Sequence, residues 1–238
     1  MKYYKRTILV LACLMTNTLL FAQNTQNKIQ ISGAMKNVMR KGDLTSTIHL
    51  DTIKNKKGLY GLGPKEALKG ELLIIDGKSY VSTMGTQGNI EMKETFDVKA
   101  PFFVFTNNDN WDVYDVPNTI KNGTDLEKYL IQLKGSYSLP FVFKLKGVFN
   151  QVDFHIQNLP DGTIVKSPKD VHTGQGKFQI NKCEGEIVGF FSTSHQSIFT
   201  HHDSYIHMHY INDDRTEMGH IDHLLLDGFH EVKLYLPK

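Results

Sequence analysis

Three histidines near the C-terminal end carry the clearest chemistry in this chain: His207, His209 and His220. Imidazole nitrogens ligate divalent transition metals, and three protein ligands with one open position is the arrangement of catalytic zinc. The spacing says how the three could meet. In an extended strand alternate side chains share a face, so Ile206, Met208 and Tyr210 point one way. His207 and His209 point the other way, with Tyr205 and Ile211. Residues 212–218 are polar and suit a connecting loop, and Gly219–Leu226 reads as the return strand. Antiparallel pairing across that loop sets His220 opposite His209, and three imidazoles converge on one point. The plainer alternative is a set of surface or core histidines with ordinary hydrogen bonds. The third histidine at hairpin distance is what favours a shared ion.

Other elements must position this hairpin. Residues 24–31 read as a loose lead-in. Ser32–Lys41 places Met35, Val38 and Met39 at helical spacing, with Gly42 as a stop. His49–Ile53 is a weak strand, and Gly61-Leu62-Gly63-Pro64 reads as a tight loop. Glu71–Ile75 and Lys78–Thr83 flank Asp76-Gly77, a strong hairpin turn. Pro101–Thr106 is a strand. Thr124-Asp125-Leu126-Glu127 reads as a capping box that opens a helix to about Lys134. Pro140–Lys146 and Val148–Ile156 read as two strands around Gly147. In the second, Val152, Phe154 and Ile156 face one way, while Asp153, His155 and Gln157 face the other. A loop over 158–170, a strand over Gly185–Ser192 and a last strand over Val232–Leu236 complete the reading. The expected fold is α+β and β-rich, with mixed sheets, a barrel-like part and the histidine hairpin in the C-terminal half. Its expected domains are an N-terminal α/β unit over 23–120 and a β-rich, zinc-binding unit over 121–238, with a break near 110–125.

Composition excludes several classes. The chain has 238 residues, of which 40% are hydrophobic, enough for a substantial core. Its 27 basic and 25 acidic residues leave no basic footprint, and no nucleic-acid motif appears. Lys2, Lys5 and Arg6 precede an apolar run over Thr7–Leu20 that is too short to span a bilayer, and Phe21-Ala22-Gln23 offers a cleavage site. Residues 1–22 therefore read as a signal peptide, and the expected mature protein is secreted or periplasmic with no membrane anchor. Cleavage also removes Cys13, which leaves Cys183 without an internal disulfide partner.

Several segments together resemble the alpha-acetolactate decarboxylase family. They are Gly61-Leu62-Gly63, Gly70-Glu71 before the Asp76-Gly77 hairpin, Pro101-Phe102, Gly147-Val148-Phe149, and Gly185–Phe190. The resemblance is strongest at His207-Met208-His209, Asp213-Asp214-Arg215 and Gly219-His220, and it runs over residues 30–236. It implies zinc on His207, His209 and His220, a glutamate at the metal in Glu71, and conversion of 2-acetolactate to acetoin and carbon dioxide. It also implies a two-domain fold that is often dimeric. The chemistry agrees: decarboxylating a 2-hydroxy-3-oxo acid needs an electron sink at the neighbouring carbonyl, and a cation held by its hydroxyl and carbonyl oxygens supplies one. A carboxyl such as Glu71 can then donate the proton that a carbon must receive. His155 stands where the family carries a substrate-contacting arginine. Pro64 replaces a threonine, and the family's tail glutamate has no secure match, since Glu231 lies too early. These departures keep a second reading open, a zinc-containing binding or structural protein on the same scaffold.

Overall fold

The structure is a computed structural model that describes residues 28–133, 135–226 and 232–238. The expected signal peptide and Glu231 lie outside the described residues. In chain order the first part holds β1 (Gln30–Gly33), α1 (Met35–Lys41), β2 (Ile48–His49), β3 (Leu59–Pro64), β4 (Glu71–Ile75), β5 (Lys78–Met84), β6 (Ile90–Glu94), β7 (Lys99–Ala100) and β8 (Phe102–Asn107). Then come β9 (Trp111–Asp115), α2 (Gly123–Leu133), β10 (Phe141–Ile156), α3 (Pro168–Val171), β11 (Gly176–Phe191), β12 (Ile206–Asn212), β13 (Met218–Leu225) and β14 (Lys233–Pro237).

The strands form two six-stranded sheets, β1-β8-β3-β4-β5-β6 and β11-β12-β13-β10-β14-β9, and β2 pairs with β7. A further pairing of β11 with β10 closes β10, β11, β12 and β13 into a ring. The expected barrel-like, β-rich α+β fold is therefore present. Inside the ring pack Phe143, Phe149, Phe154, Met208, Tyr210 and their neighbours. A separate apolar cluster joins the two sheets. It draws Leu62, Leu73 and Ile75 from the first sheet and Val188, Phe190, Ile211 and Met218 from the second.

That division of faces decides where the site lies. Leu73 and Ile75 of β4 face the second sheet, so Glu71, at the same parity, does too. Ile211 of β12 faces the first sheet, which turns His207 and His209 the same way, while Met208 and Tyr210 enter the ring. The alternation expected for β12 holds, and its polar face is buried between the sheets rather than exposed.

Several local expectations are corrected. Gly61-Leu62-Gly63-Pro64 is not a loop but part of β3, buried along its whole length. The glycines serve close packing there: a Cβ on Gly61 would lie 2.6 Å from the Phe103 ring, and one on Gly63 would lie 2.5 Å from the Phe102 carbonyl oxygen. The segment around Gly147 is one continuous strand, and Gly147, at φ +147°, sits between the part of β10 that pairs with β14 and the part that pairs with β13. Helix α2 starts earlier than the Thr124 reading, because Asn122 Oδ1 accepts from Asp125 N at 2.9 Å and caps it. Glu127 instead accepts from Ser204 Oγ and Tyr205 N, which ties α2 to the entry of β12. Residues 111–115, expected near a break, form β9 against β14 in the second sheet. Strand β11 begins at Gly176 rather than Gly185, and the loop over 158–170 gives way to α3 at Pro168, opened by a Ser167–Asp170 capping box.

Candidate metal centre

The hairpin of β12 and β13 pairs His209 with His220, as expected. Its turn is pinned from outside, since Arg215 Nη2 donates to Glu186 Oε1 at 2.6 Å and Lys144 Nζ donates to Glu186 Oε2 at 3.1 Å. One ring nitrogen from each of His207, His209 and His220 lies within 4.8 Å of the others, and all three side chains are buried. His207 Nδ1 donates to the Phe199 carbonyl at 2.7 Å. That bond fixes the tautomer and leaves Nε2 with a lone pair, 3.0 Å from His220 Nδ1. His209 is fully buried, and both its ring nitrogens lack a hydrogen-bond partner among the described residues.

Burial sets the charge of this group. Desolvation pushes the His207 pKa down to about 3, helped by the nearby His201. Burial, with neighbouring histidines adding to it, also holds His209 and His220 well below the usual imidazole range. The Leu72 backbone favours protonation of His209, and burial outweighs it. Three uncharged imidazoles, each with a ring nitrogen within 4.8 Å of the others and one of them with no hydrogen-bond partner among the described residues, are a donor set that fits a divalent cation.

Glu71 completes the wall opposite. It is 2% exposed, and its Oε2 lies 3.6 Å from His209 Nε2. Burial raises its pKa well above the carboxylate range, against the pull of Gln157 N, which donates to Oε1 at 3.2 Å. His155 is brought to the same place, because it pairs with His220 across β10 and β13 and its ring centroid lies 4.8 Å from that of His220. A cavity of about 30 Å³ touches Glu71, His155, Gln157, His207 and His220. A larger one of about 760 Å³ reaches His207 and His220 from the side of α2.

All five residues singled out in the sequence thus lie together. Two neighbours were missed. Gln157 shares the face of His155, a signal present in the strand alternation. His201 sits in an irregular segment with no periodicity to place it, yet its Nε2 is 3.1 Å from His220 Nε2.

Metal-free protein is expected to lose stability in acid. Unfolded histidine takes up a proton near pH 6.5, but folded His207 does so only near pH 3. Between those values the unfolded state binds more protons. Each such histidine therefore removes about 1.4 kcal/mol per pH unit as pH falls. Glu71 works the other way: its folded pKa is raised, so its contribution is present in acid and is lost as pH rises, which offsets part of the histidine loss. Urea midpoints of chelator-treated protein should fall between about pH 6.5 and about pH 5. A flat or rising midpoint across that window would contradict neutral burial of the three rings.

Fold and site together define a β-rich α+β protein with a buried three-histidine group, able to hold a metal, between two sheets. Residues 21–235 match the family model described as Alpha-acetolactate decarboxylase, and the chain belongs to that family, whose members are carbon–carbon lyases. Among curated proteins it is similar to the alpha-acetolactate decarboxylase of Streptococcus thermophilus, 27% identical over 179 residues that cover 74% of this chain and 72% of that one. It is also similar to that of Bacillus subtilis (strain 168), 28% identical over 175 residues, 72% of this chain and 65% of the relative. The crystal structure of alpha-acetolactate decarboxylase from Bacillus subtilis strain 168 shares the fold, with a TM-score of 0.70 at 23% identity over 88% of this chain and 84% of that one. So does a Staphylococcus aureus protein described as similar to alpha-acetolactate decarboxylase, with a TM-score of 0.68 at 20% identity over 87% and 84% of the two chains.

Proposed function

We propose that this protein converts 2-acetolactate (2-hydroxy-2-methyl-3-oxobutanoate) to acetoin and carbon dioxide, with one zinc ion held by His207, His209 and His220. The observation that carries this reading is the convergence of three buried, uncharged imidazoles with Glu71 in a chain of this family.

In the reaction the bond from C2 to the carboxylate carbon breaks, carbon dioxide leaves, and the electron pair remaining at C2 passes to the neighbouring carbonyl. When bound, zinc supplies the Lewis acid that stabilises this charge. The chain supplies the rest. The apolar cluster between the sheets backs the site, and His209 is fully buried, which strengthens the electrostatic contacts on that side. Glu71 holds a proton that can be delivered to C2, yielding acetoin, and the Gln157 N–H orients its carboxyl. His155 faces the same cavity and is the proposed substrate contact in place of the family's arginine. A neutral imidazole nitrogen makes at most one hydrogen bond and brings no charge, where a guanidinium makes two charge-assisted ones, so turnover is expected to be slower than with arginine there.

The experiment is acetoin formation from racemic 2-acetolactate by zinc-loaded protein, with spontaneous decarboxylation subtracted. Acetoin above background supports the reading. None, with zinc bound, would favour a zinc-containing binding protein on this scaffold. Export after cleavage near Ala22 and assembly as a homodimer belong to the same proposal, motivated by the N-terminal pattern and by the family resemblance. Intact mass and sedimentation of exported protein check them, and a retained leader or a monomer would refute the respective part.

A further inference from the structure

Beside the metal group β13 departs from regular pairing. His220 pairs with His155 and Ile221 with Phe154, but the next pair on β10 is Asp153 with His223. Asp222 is the extra residue of a β-bulge, a device that re-aims side chains and is common next to active sites. The bulge leaves both Asp222 and His223 on the face of β10 that carries Asp153 and His155. His223 Nδ1 lies 3.8 Å from Asp153 Oδ2, and Asp222 Oδ1 lies 2.8 Å from His155 Nδ1.

The second contact has a chemical consequence. A carboxylate oxygen accepts, so His155 Nδ1 carries the proton and donates it. Nε2 is then the free nitrogen. It is 3.4 Å from the side-chain amide of Gln157, whose oxygen and nitrogen ends can exchange by rotation and so match either tautomer, which leaves the choice to Asp222. The ring itself is 5% exposed and lines the cavity of about 30 Å³ that holds Glu71, His207 and His220. The Asp222 side chain, by contrast, is 44% exposed. The ladder between β10 and β13 holds without it, since neighbouring residues on both sides are paired.

We infer that Asp222 is a positioning residue for the decarboxylation proposed above: through Nδ1 it selects the tautomer of His155 that presents Nε2 as a hydrogen-bond acceptor to the substrate hydroxyl. The arrangement follows the general logic by which a carboxylate orients a histidine that works through its other nitrogen. This inference rests on the proposed function for the identity of the substrate, but the tautomer itself does not depend on it.

The test uses zinc-loaded wild type, Asp222→Ala, His155→Gln and the double variant. Long-range proton–nitrogen NMR, with the His155 signal identified by its loss in His155→Gln, reports the tautomer. Wild type should show the proton on Nδ1, and Asp222→Ala should move it to Nε2. Acetoin-forming kcat/KM should fall about tenfold to a hundredfold in Asp222→Ala at unchanged zinc content. In the His155→Gln background the same substitution should have no further effect, because the two residues act as one unit. An unchanged tautomer in Asp222→Ala, or an equal loss of kcat/KM in both backgrounds, would overturn the inference. If the protein forms no acetoin at all, the decarboxylase reading fails while the NMR comparison still decides the role of Asp222.

Discussion

Replacing His209 with alanine is expected to release the zinc and abolish zinc-dependent acetoin formation. It is also expected to lower the Tm of zinc-loaded protein by about 10 °C. The size follows from linkage. A ligand present at a thousandfold its Kd adds about 4 kcal/mol to the folded state, and each kcal/mol moves Tm by about 2–4 °C in a domain of this size. Without metal the comparison changes. His209 is fully buried with both ring nitrogens unpartnered among the described residues, so deleting it relieves a desolvation cost of about 1–3 kcal/mol. The cavity left behind costs about 2–5 kcal/mol, and the first offsets roughly half of the second. Metal-free wild type and variant should therefore melt much closer together than the zinc-loaded pair. Scanning calorimetry with elemental analysis decides the matter. A variant that keeps one zinc per chain and the full zinc-dependent rise in Tm would remove His209 from the ligand set.

Glu71→Gln should be the most damaging substitution that leaves the fold intact. Glutamine matches glutamate in shape and can still accept from Gln157 N, so the packing between the sheets is preserved. What disappears is a carboxyl whose pKa burial raises well above the usual carboxylate range and that lies 3.6 Å from His209 Nε2. General acid catalysis by a placed side chain contributes about a hundredfold to ten-thousandfold in rate, and kcat should fall by that order. Zinc content separates two roles for the residue. Zinc retained with kcat lost identifies a proton donor, whereas zinc lost identifies a ligand. A variant with near-normal kcat would show that Glu71 takes no part in the chemistry.

The hairpin was legible because its alternation is strict: Ile206, Met208 and Tyr210 need one apolar face, which leaves His207 and His209 on the other. The register with His220 followed from a polar loop of suitable length. The approach of Glu71 was not derivable from local pattern. It comes from two sheets facing each other, a contact between residues far apart in sequence, and it was named through family resemblance. Asp222 was invisible for a different reason, since a bulge changes register without changing residue types. His201 lies in a segment where no periodicity says which way a ring points. Glycine misled at Gly61 and Gly63, where it reads as a turn but clears space for Phe103 and the Phe102 backbone inside a buried strand. The break expected near 110–125 overlooked that Val113 and Tyr114 could extend the second sheet as an edge strand.

Restoring metal to chelator-treated protein in measured steps tests the link between the histidine site and the reaction most directly. Acetoin formation from 2-acetolactate, corrected for the spontaneous rate, is followed as zinc is added. The expected result is a rate that starts at background, rises in proportion to zinc and breaks at one equivalent per chain, with no rise in His207→Ala. Full turnover before any zinc is added, or a rate that stays at background after one equivalent has bound, would contradict the account.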